Sequence, residues 1–208
     1  MSSPVTVDIF VEDRAHEAFL VPLLQRIARE ENLVISSRVR SARGGHGRAI
    51  AELKLYQQVV ETGMLGLAPP DLLLAGIDGN CLTLAKAKQA IEGATHVPFS
   101  GRLVAACPDP HVERWYLADP ESFKEIVGLR PTIAKKKCVR DCYKHALAKL
   151  VSKAGHPVTL GGIEFAQELV ERMDLYRAGK NERSLKVFVD DLRSSLRTLQ
   201  AGSRGGVR

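Results

Sequence analysis

The sequence predicts an α/β fold: a mostly parallel central sheet flanked by helices, with further helices at the C-terminal end. Three observations predict it. Val5–Val11 is a short run rich in β-branched residues, as strands are. Residues 71–77 are apolar after the first, which suits a strand buried on both faces of a parallel sheet. Between and after these runs, apolar residues recur at helical spacing, and strands alternating with helices favour parallel pairing.

The first strand, Val5–Val11, ends at Glu12, and residues 15–30 follow as a helix with Phe19, Leu23, Leu24 and Ile27 on one face. Asn32 and Leu33 turn the chain into a second extended stretch, 34–39. Arg43-Gly44-Gly45-His46-Gly47-Arg48 reads as a glycine-rich basic loop, and 49–62 as a helix. Pro69-Pro70 breaks the chain before the central strand, which ends at Asp78-Gly79-Asn80. A helix is expected over 82–92 and a short buried strand over 103–107. Residues 112–117 open a helix carrying Glu113, Trp115 and Asp119. From Thr132 onward the pattern is helical, with a C-terminal helix over 187–199. The expected organisation is an α/β core over 1–130, a helical elaboration of the same domain over 131–200, and a disordered, glycine-rich basic tail over 201–208.

The 208 residues suffice for one domain with a substantial core. No apolar run is long enough to span a bilayer, and the first residues lack the pattern of a signal peptide, so no membrane role and a cytoplasmic location are expected. In that setting the four cysteines, Cys81, Cys107, Cys138 and Cys142, need not pair. The formal net charge of +6 favours an anionic partner, of which nucleic acid is the commonest.

Acidic residues stand at or just beyond the ends of three expected strands: Glu12, Asp78 and Glu113. Ligands of open α/β sheets bind at the carboxyl ends of the strands. Carboxylates gathered there repel one another, and a divalent cation relieves the repulsion. Taken singly, each acid reads better as a helix cap or a first-turn residue; taken together, at successive strand ends, they favour a metal site.

Val11-Glu12-Asp13-Arg14-Ala15-His16-Glu17-Ala18-Phe19 resembles the first motif of Toprim domains, the catalytic domains of topoisomerases, primases and the overcoming-lysogenization-defect nucleases. Ile77-Asp78-Gly79-Asn80 resembles the later Asp-x-Asp motif of that family. Residues 108–119, with Pro110, Glu113, Trp115, Leu117, Ala118 and Asp119, are similar to a segment of the small stand-alone Toprim-like proteins found near bacterial defence genes and ATPases. The resemblance covers about the first 130 residues. It implies a Mg²⁺ (or Mn²⁺) ion positioned by Glu12 and Asp78, assisted by Glu17, Asn80 and Glu113. It also implies cleavage of DNA or RNA phosphodiesters, a role as effector in defence against phage, and an ATPase partner protein. Asp13 stands where the family usually has glycine, and Asn80 replaces the second aspartate. The second departure supports an alternative, a non-catalytic nucleic-acid-binding or adaptor subunit. A small-molecule phosphotransfer protein would need a phosphate loop, and 43–48 lacks the Gly-Lys-Ser/Thr ending of one.

Other residues extend the nucleic-acid reading. Arg43 and Arg48 offer guanidinium forks to phosphate, and His46 is a candidate proton donor or acceptor; a solvated loop is the alternative. Lys136, Arg140 and Lys144 fall at i, i+4 and i+8 of an expected helix, where a polyanion partner would relieve mutual repulsion; a solvated face is the equal alternative. Cys138, Cys142 and His145 share that expected helix, but three ligands on one straight helix do not wrap a tetrahedral zinc ion, so the cysteines read as partly buried small residues. Trp115 reads as core rather than as a base-stacking platform.

Overall fold

A computed structural model describes residues 4–41, 45–64, 66–132, 136–139 and 141–205. The fold class expected from the sequence is observed. Among the described residues, four parallel strands, β1 (Val5–Val11), β2 (Ile35–Ser41), β3 (Leu72–Gly76) and β4 (Leu103–Ala106), form one sheet in the order β2-β1-β3-β4. Three helices connect them: α1 (Arg14–Glu30), α2 (His46–Glu61) and α3 (Leu84–Glu92). Beyond β4 come α4 (Glu113–Tyr116), α5 (Pro120–Val127), α6 (Cys142–Lys153), α7 (Ala166–Arg172), α8 (Leu175–Asn181) and α9 (Arg183–Gly205).

Alternation along β1 decides which helix covers which face. Val7, Ile9 and Val11 join one core with Phe19, Leu20, Leu23 and Ile27 of α1 and with the C-terminal helices. Phe10 joins the other core, under α2 and α3. Asp8 also points to that side, fully buried, and is held by Arg38 of β2 and the Tyr56 hydroxyl of α2. Since α1 and α2 lie on opposite faces, chain order reverses between β1 and β3, and a crevice opens beyond their carboxyl ends.

Register brings the strand ends level: Val11 pairs with Gly76, and Gly76 with Ala106. Gly76 is required by the close approach of α1. A Cβ there would lie 2.5 Å from Leu20 Cδ1 and 3.2 Å from Val11 Cγ1. The missing side chain lets the first turns of α1 settle against the end of β3.

Several local expectations are corrected. The basic segment 43–48 is a loop only in part, because His46, Gly47 and Arg48 already form the first turn of α2. The helix opened at Glu113 is a single turn, and α5 restarts behind Asp119 with Pro120 in its first turn, a residue that cannot continue a preceding helix. Cys138 does not share a helix with Cys142 and His145: it adopts a positive φ of 60°, and α6 begins at Cys142. Lys136 likewise precedes α6, so it does not share a helical face with Lys144, and Arg140 lies outside the described residues. Cys138 is exposed rather than partly buried, and it is joined to Cys81 in a disulfide across 57 residues of chain. The C-terminal helix is longer at both ends than expected, and it carries most of the supposed tail to Gly205. Among the described residues no helix is long and apolar enough to cross a membrane.

Candidate metal centre

Glu12 and Asp78 are each placed by the end of a strand. As β1 ends, Glu12 N–H donates to the Gly76 carbonyl at 3.0 Å, extending the ladder by one step. The Glu12 carboxylate then accepts from Asp78 N–H at 3.0 Å, tying the two strand ends together. The Asp78 carboxylate is held from the other side: its Oδ1 accepts from Val112 N–H at 2.9 Å, and its Oδ2 lies 3.0 Å from His111 Nδ1. Glu113, on the one-turn helix α4, is buried at the same cavity wall. The cavity holds about 340 Å³. Glu12, Asp78, Asn80 and Glu113 all line it.

Beneath the cavity sits His16, fully buried on the first turn of α1. Asp13 is the N-cap of that helix and accepts from Ala15 and His16 N–H, both at 3.0 Å. The same Asp13 Oδ1 lies 2.8 Å from His16 Nδ1. An ionised carboxylate only accepts, so Nδ1–H donates to Asp13, and Nε2 faces Asp78. Nε2 lies 3.1 Å from Asp78 Oδ1, an ion-pair distance, but the oxygen is off the N–H direction and Nε2 has no hydrogen-bond partner among the described residues. One ligand atom each from Glu12, His16 and Asp78 fall within 4.8 Å of one another.

Electrostatics follow from crowding. Burial, and then the neighbouring Asp78 charge, push the Glu12 carboxyl above its ordinary range. Glu113 is raised for the same reasons. Burial opposes ionisation of Asp78 too, but His16 and His111 outweigh it and hold that carboxyl at about 2. Burial lowers the His16 imidazole, yet Asp78 and Asp13 together raise it to about 10. His111 is raised through its hydrogen bond to Asp78. The His16 imidazolium and the Asp78 carboxylate thus stabilise each other's charge.

The remaining sequence candidates are dispersed. Glu17 is half-buried on α1 and is not among the residues lining the cavity; His16, one position earlier, is the residue of α1 that reaches the centre. Asn80 adopts a left-handed φ of 50°, which asparagine tolerates, and its side chain makes a long 3.4 Å bond to the Asp78 carbonyl. Gly45 and His46 bring the start of α2 beside Glu12; a Cβ at Gly45 would stand 4.0 Å from Glu12 Oε1. His46 lowers the Glu12 carboxyl by its charge, in part offsetting burial. Arg43 lies outside the described residues, as does Arg140. Arg48 is exposed and paired with Glu52 at 2.8 Å. Lys144 lines the cavity from α6, whereas Lys136 is exposed and its backbone is held by the Tyr143 hydroxyl. His16, Asp13 and His111 escaped the sequence reading. The one signal for the first two was Asp13-Arg14-Ala15-His16, an N-cap acid with a histidine three residues on.

A second cavity of about 620 Å³ adjoins the first. Lys88, Arg114, Lys137 and Arg183 line it against the carboxylates of Asp109 and Glu182. The two are lined by neighbouring residues: Cys81, His111 and Cys138 face the acidic one, while Thr83, Asp109 and Lys137, at most two residues away in each case, face the basic one. In comparisons with known proteins, no family model, no curated protein and no solved structure matches the chain.

Proposed function

We propose that the chain is a Toprim-like, divalent-metal-dependent phosphodiester hydrolase acting on nucleic acid. The observation that carries this reading is the meeting of Glu12, Asp78 and Nε2 of the fully buried His16, which makes no hydrogen bond among the described residues, where chain order reverses in the sheet. Buried polar atoms in native proteins are almost always satisfied, and an ion is one of the ordinary explanations for an exception. When bound, a dication polarises the phosphoryl oxygens and eases attack by water. The chain's own residues do the rest. Glu12 and Asp78 hold the centre, with Asp78 kept ionised and oriented by His111 and the Val112 N–H. Glu113, buried with its carboxyl raised, is suited to move a proton at the cavity wall. Lys144 and the basic cavity supply positive charge for phosphates on either side of the scissile one.

A second reading keeps the fold as a nucleic-acid-binding adaptor, and Asn80 favours it, being uncharged where the family motif has an acid. One experiment separates them. Single- and double-stranded DNA and RNA are offered with Mg²⁺ and with Mn²⁺ to wild type and Glu12→Ala. We expect cleavage by wild type and none by a variant that still melts cooperatively. No cleavage by wild type, or equal cleavage by Glu12→Ala, favours the adaptor. In parallel, the metal should raise the wild-type Tm by roughly 5–10 °C at about a hundredfold excess over Kd, and Glu12→Gln should remove most of the shift.

A further inference from the structure

We infer that the centre selects a first-row transition dication, of the Mn²⁺, Fe²⁺ or Zn²⁺ class, over Mg²⁺. In this inference His16 Nε2 is a ligand, and Asp13 is the positioning residue that aims it. It rests on the metal-centre reading above and deepens it.

Three features point the same way. First, the convergent ligand set is mixed: one imidazole nitrogen with two carboxylates. Mg²⁺ demands oxygen ligands, whereas imidazole nitrogen suits the transition metals. Second, Asp13 accepts from His16 Nδ1 at 2.8 Å. A metal-bound histidine almost always donates its other N–H to such an acceptor, which fixes the tautomer and raises ligand basicity. Asp13 is itself locked, because its carboxylate also caps α1 through the Ala15 and His16 amides. The ring therefore has little freedom to turn. Third, Nε2 is buried, close to the carboxylates of Glu12 and Asp78, and without a hydrogen-bond partner among the described residues. An ion between the three groups satisfies it.

The geometry also gives sense to a departure in the first motif. Where the resembling family has glycine after the strand-end glutamate, this chain has Asp13, and with it a histidine three residues on. The two residues form one unit: cap, orienter and ligand. Glycine at that position could neither cap with a side chain nor hold the ring.

Calorimetric titration with Mg²⁺, Mn²⁺ and Zn²⁺ chlorides alone tests the preference on wild type, His16→Gln and Asp13→Asn. Asparagine is as good an N-cap as aspartate, so Asp13→Asn keeps α1 while weakening the acceptor for Nδ1–H. Pulsed electron paramagnetic resonance of Mn²⁺-loaded wild type, with and without ¹⁵N-histidine labelling, reads the nitrogen ligand directly and needs no variant. We expect Mn²⁺ to bind at least about tenfold tighter than Mg²⁺, with a histidine nitrogen coupling. Asp13→Asn should lower Mn²⁺ affinity about 10- to 100-fold, the range typical of partners that orient a ligand. His16→Gln, where folded, should lose both the coupling and the preference. Mn²⁺ binding without nitrogen coupling, or equal affinity for Mg²⁺ and Mn²⁺, overturns the inference and leaves the metal centre standing. If none of the three ions binds, the metal-centre reading falls, and the inference with it.

Discussion

Within the segment 108–119, three side chains of one sequence motif do three different things. Glu113 faces the acidic cavity. Trp115 is fully buried, stacks on Phe188 at 5.5 Å between ring centroids, and donates from Nε1 to Ser184 Oγ at 2.8 Å. It anchors α9 and offers no platform for a base. Asp119 is neither a ligand nor a side-chain cap. It accepts from the Ser122 hydroxyl, the Asp174 amide and, bidentately, the Arg177 guanidinium, tying α5 to the start of α8. Burial opposes its charge, but the Arg177 and Ser122 hydrogen bonds prevail and hold the carboxyl at about 2. A carboxyl depressed in the folded state stabilises above its unfolded pKa, about 3.9, and that contribution is lost as pH falls through the folded value. Asp119→Asn should therefore cost about 2–3 kcal/mol at neutral pH. The gap in stability from wild type should narrow as pH drops from about 4 toward 2. Urea melts at pH 7 and pH 3 check this; a gap that is constant with pH would mean the Asp119 charge contributes nothing.

At the scale of elements, the centre depends on how closely α1 lies on β3. Leu20 and His16 both approach the position where a side chain at residue 76 would stand, with His16 Cδ2 at 3.5 Å. The packing is tight because Leu20 is fully buried and has nowhere to swing. Gly76→Ala should push α1 outward and cost about 1–3 kcal/mol, the usual penalty of an overfilled core. The same substitution in a Leu20→Ala background should cost less, since the nearest clash is gone. Additive penalties in that double-mutant cycle would show that Leu20 is not the side chain being displaced. Displacement of α1 carries His16 with it, so Gly76→Ala should also weaken metal binding, though residue 76 bears no ligand.

At the scale of the whole molecule, the chain brings an acidic and a basic cavity together, and under the proposed function the phosphate chain would run across both. The C-terminal helices help to form the basic one: Arg183 at the start of α9 and Glu182 just before it line it together with Lys88 of α3 and Lys137 of the segment before α6. Three of its four cations are paired, Lys88 with Asp191, Arg114 with Glu182 and Lys137 with Asp109, while Arg183 makes no ion pair among the described residues. Each phosphate that a substitution leaves without its cation should flatten the dependence of log K on log salt by about one unit. Arg183→Ala should thus lower the slope by about one and weaken binding to every sequence alike, while Lys137→Ala, whose ammonium is held by Asp109, should lower it less. Fluorescence anisotropy over a salt series measures it. An unchanged slope would place the nucleic acid elsewhere. Lys136→Ala should have a smaller effect, because Lys136 is exposed outside both cavities.

The fold class, the four strands and the placing of Glu12 and Asp78 at strand ends were legible because they are local. A β-branched run, an apolar run and a 3.6-residue period each report on the few residues that carry them. The strand-end acids follow from where those runs stop. What tertiary structure decided is which surfaces meet. Nothing local shows that α1 turns His16, and not Glu17, toward Asp78; that rotation is set by Phe19, Leu20 and Leu23 burying against β1 and by the gap at Gly76. Nothing local pairs Cys81 with Cys138, which stand 57 residues apart in sequence but whose Cα atoms are 4.9 Å apart in the fold. The early start of α9 has no strong periodic signal either, because Trp115 holds Ser184 of its first turn and Arg114 holds Glu182 just before it, both from another part of the chain. Periodicity tells each element which face to bury, whereas the partner of that face, and so the third member of the centre, is chosen by packing between elements distant in sequence.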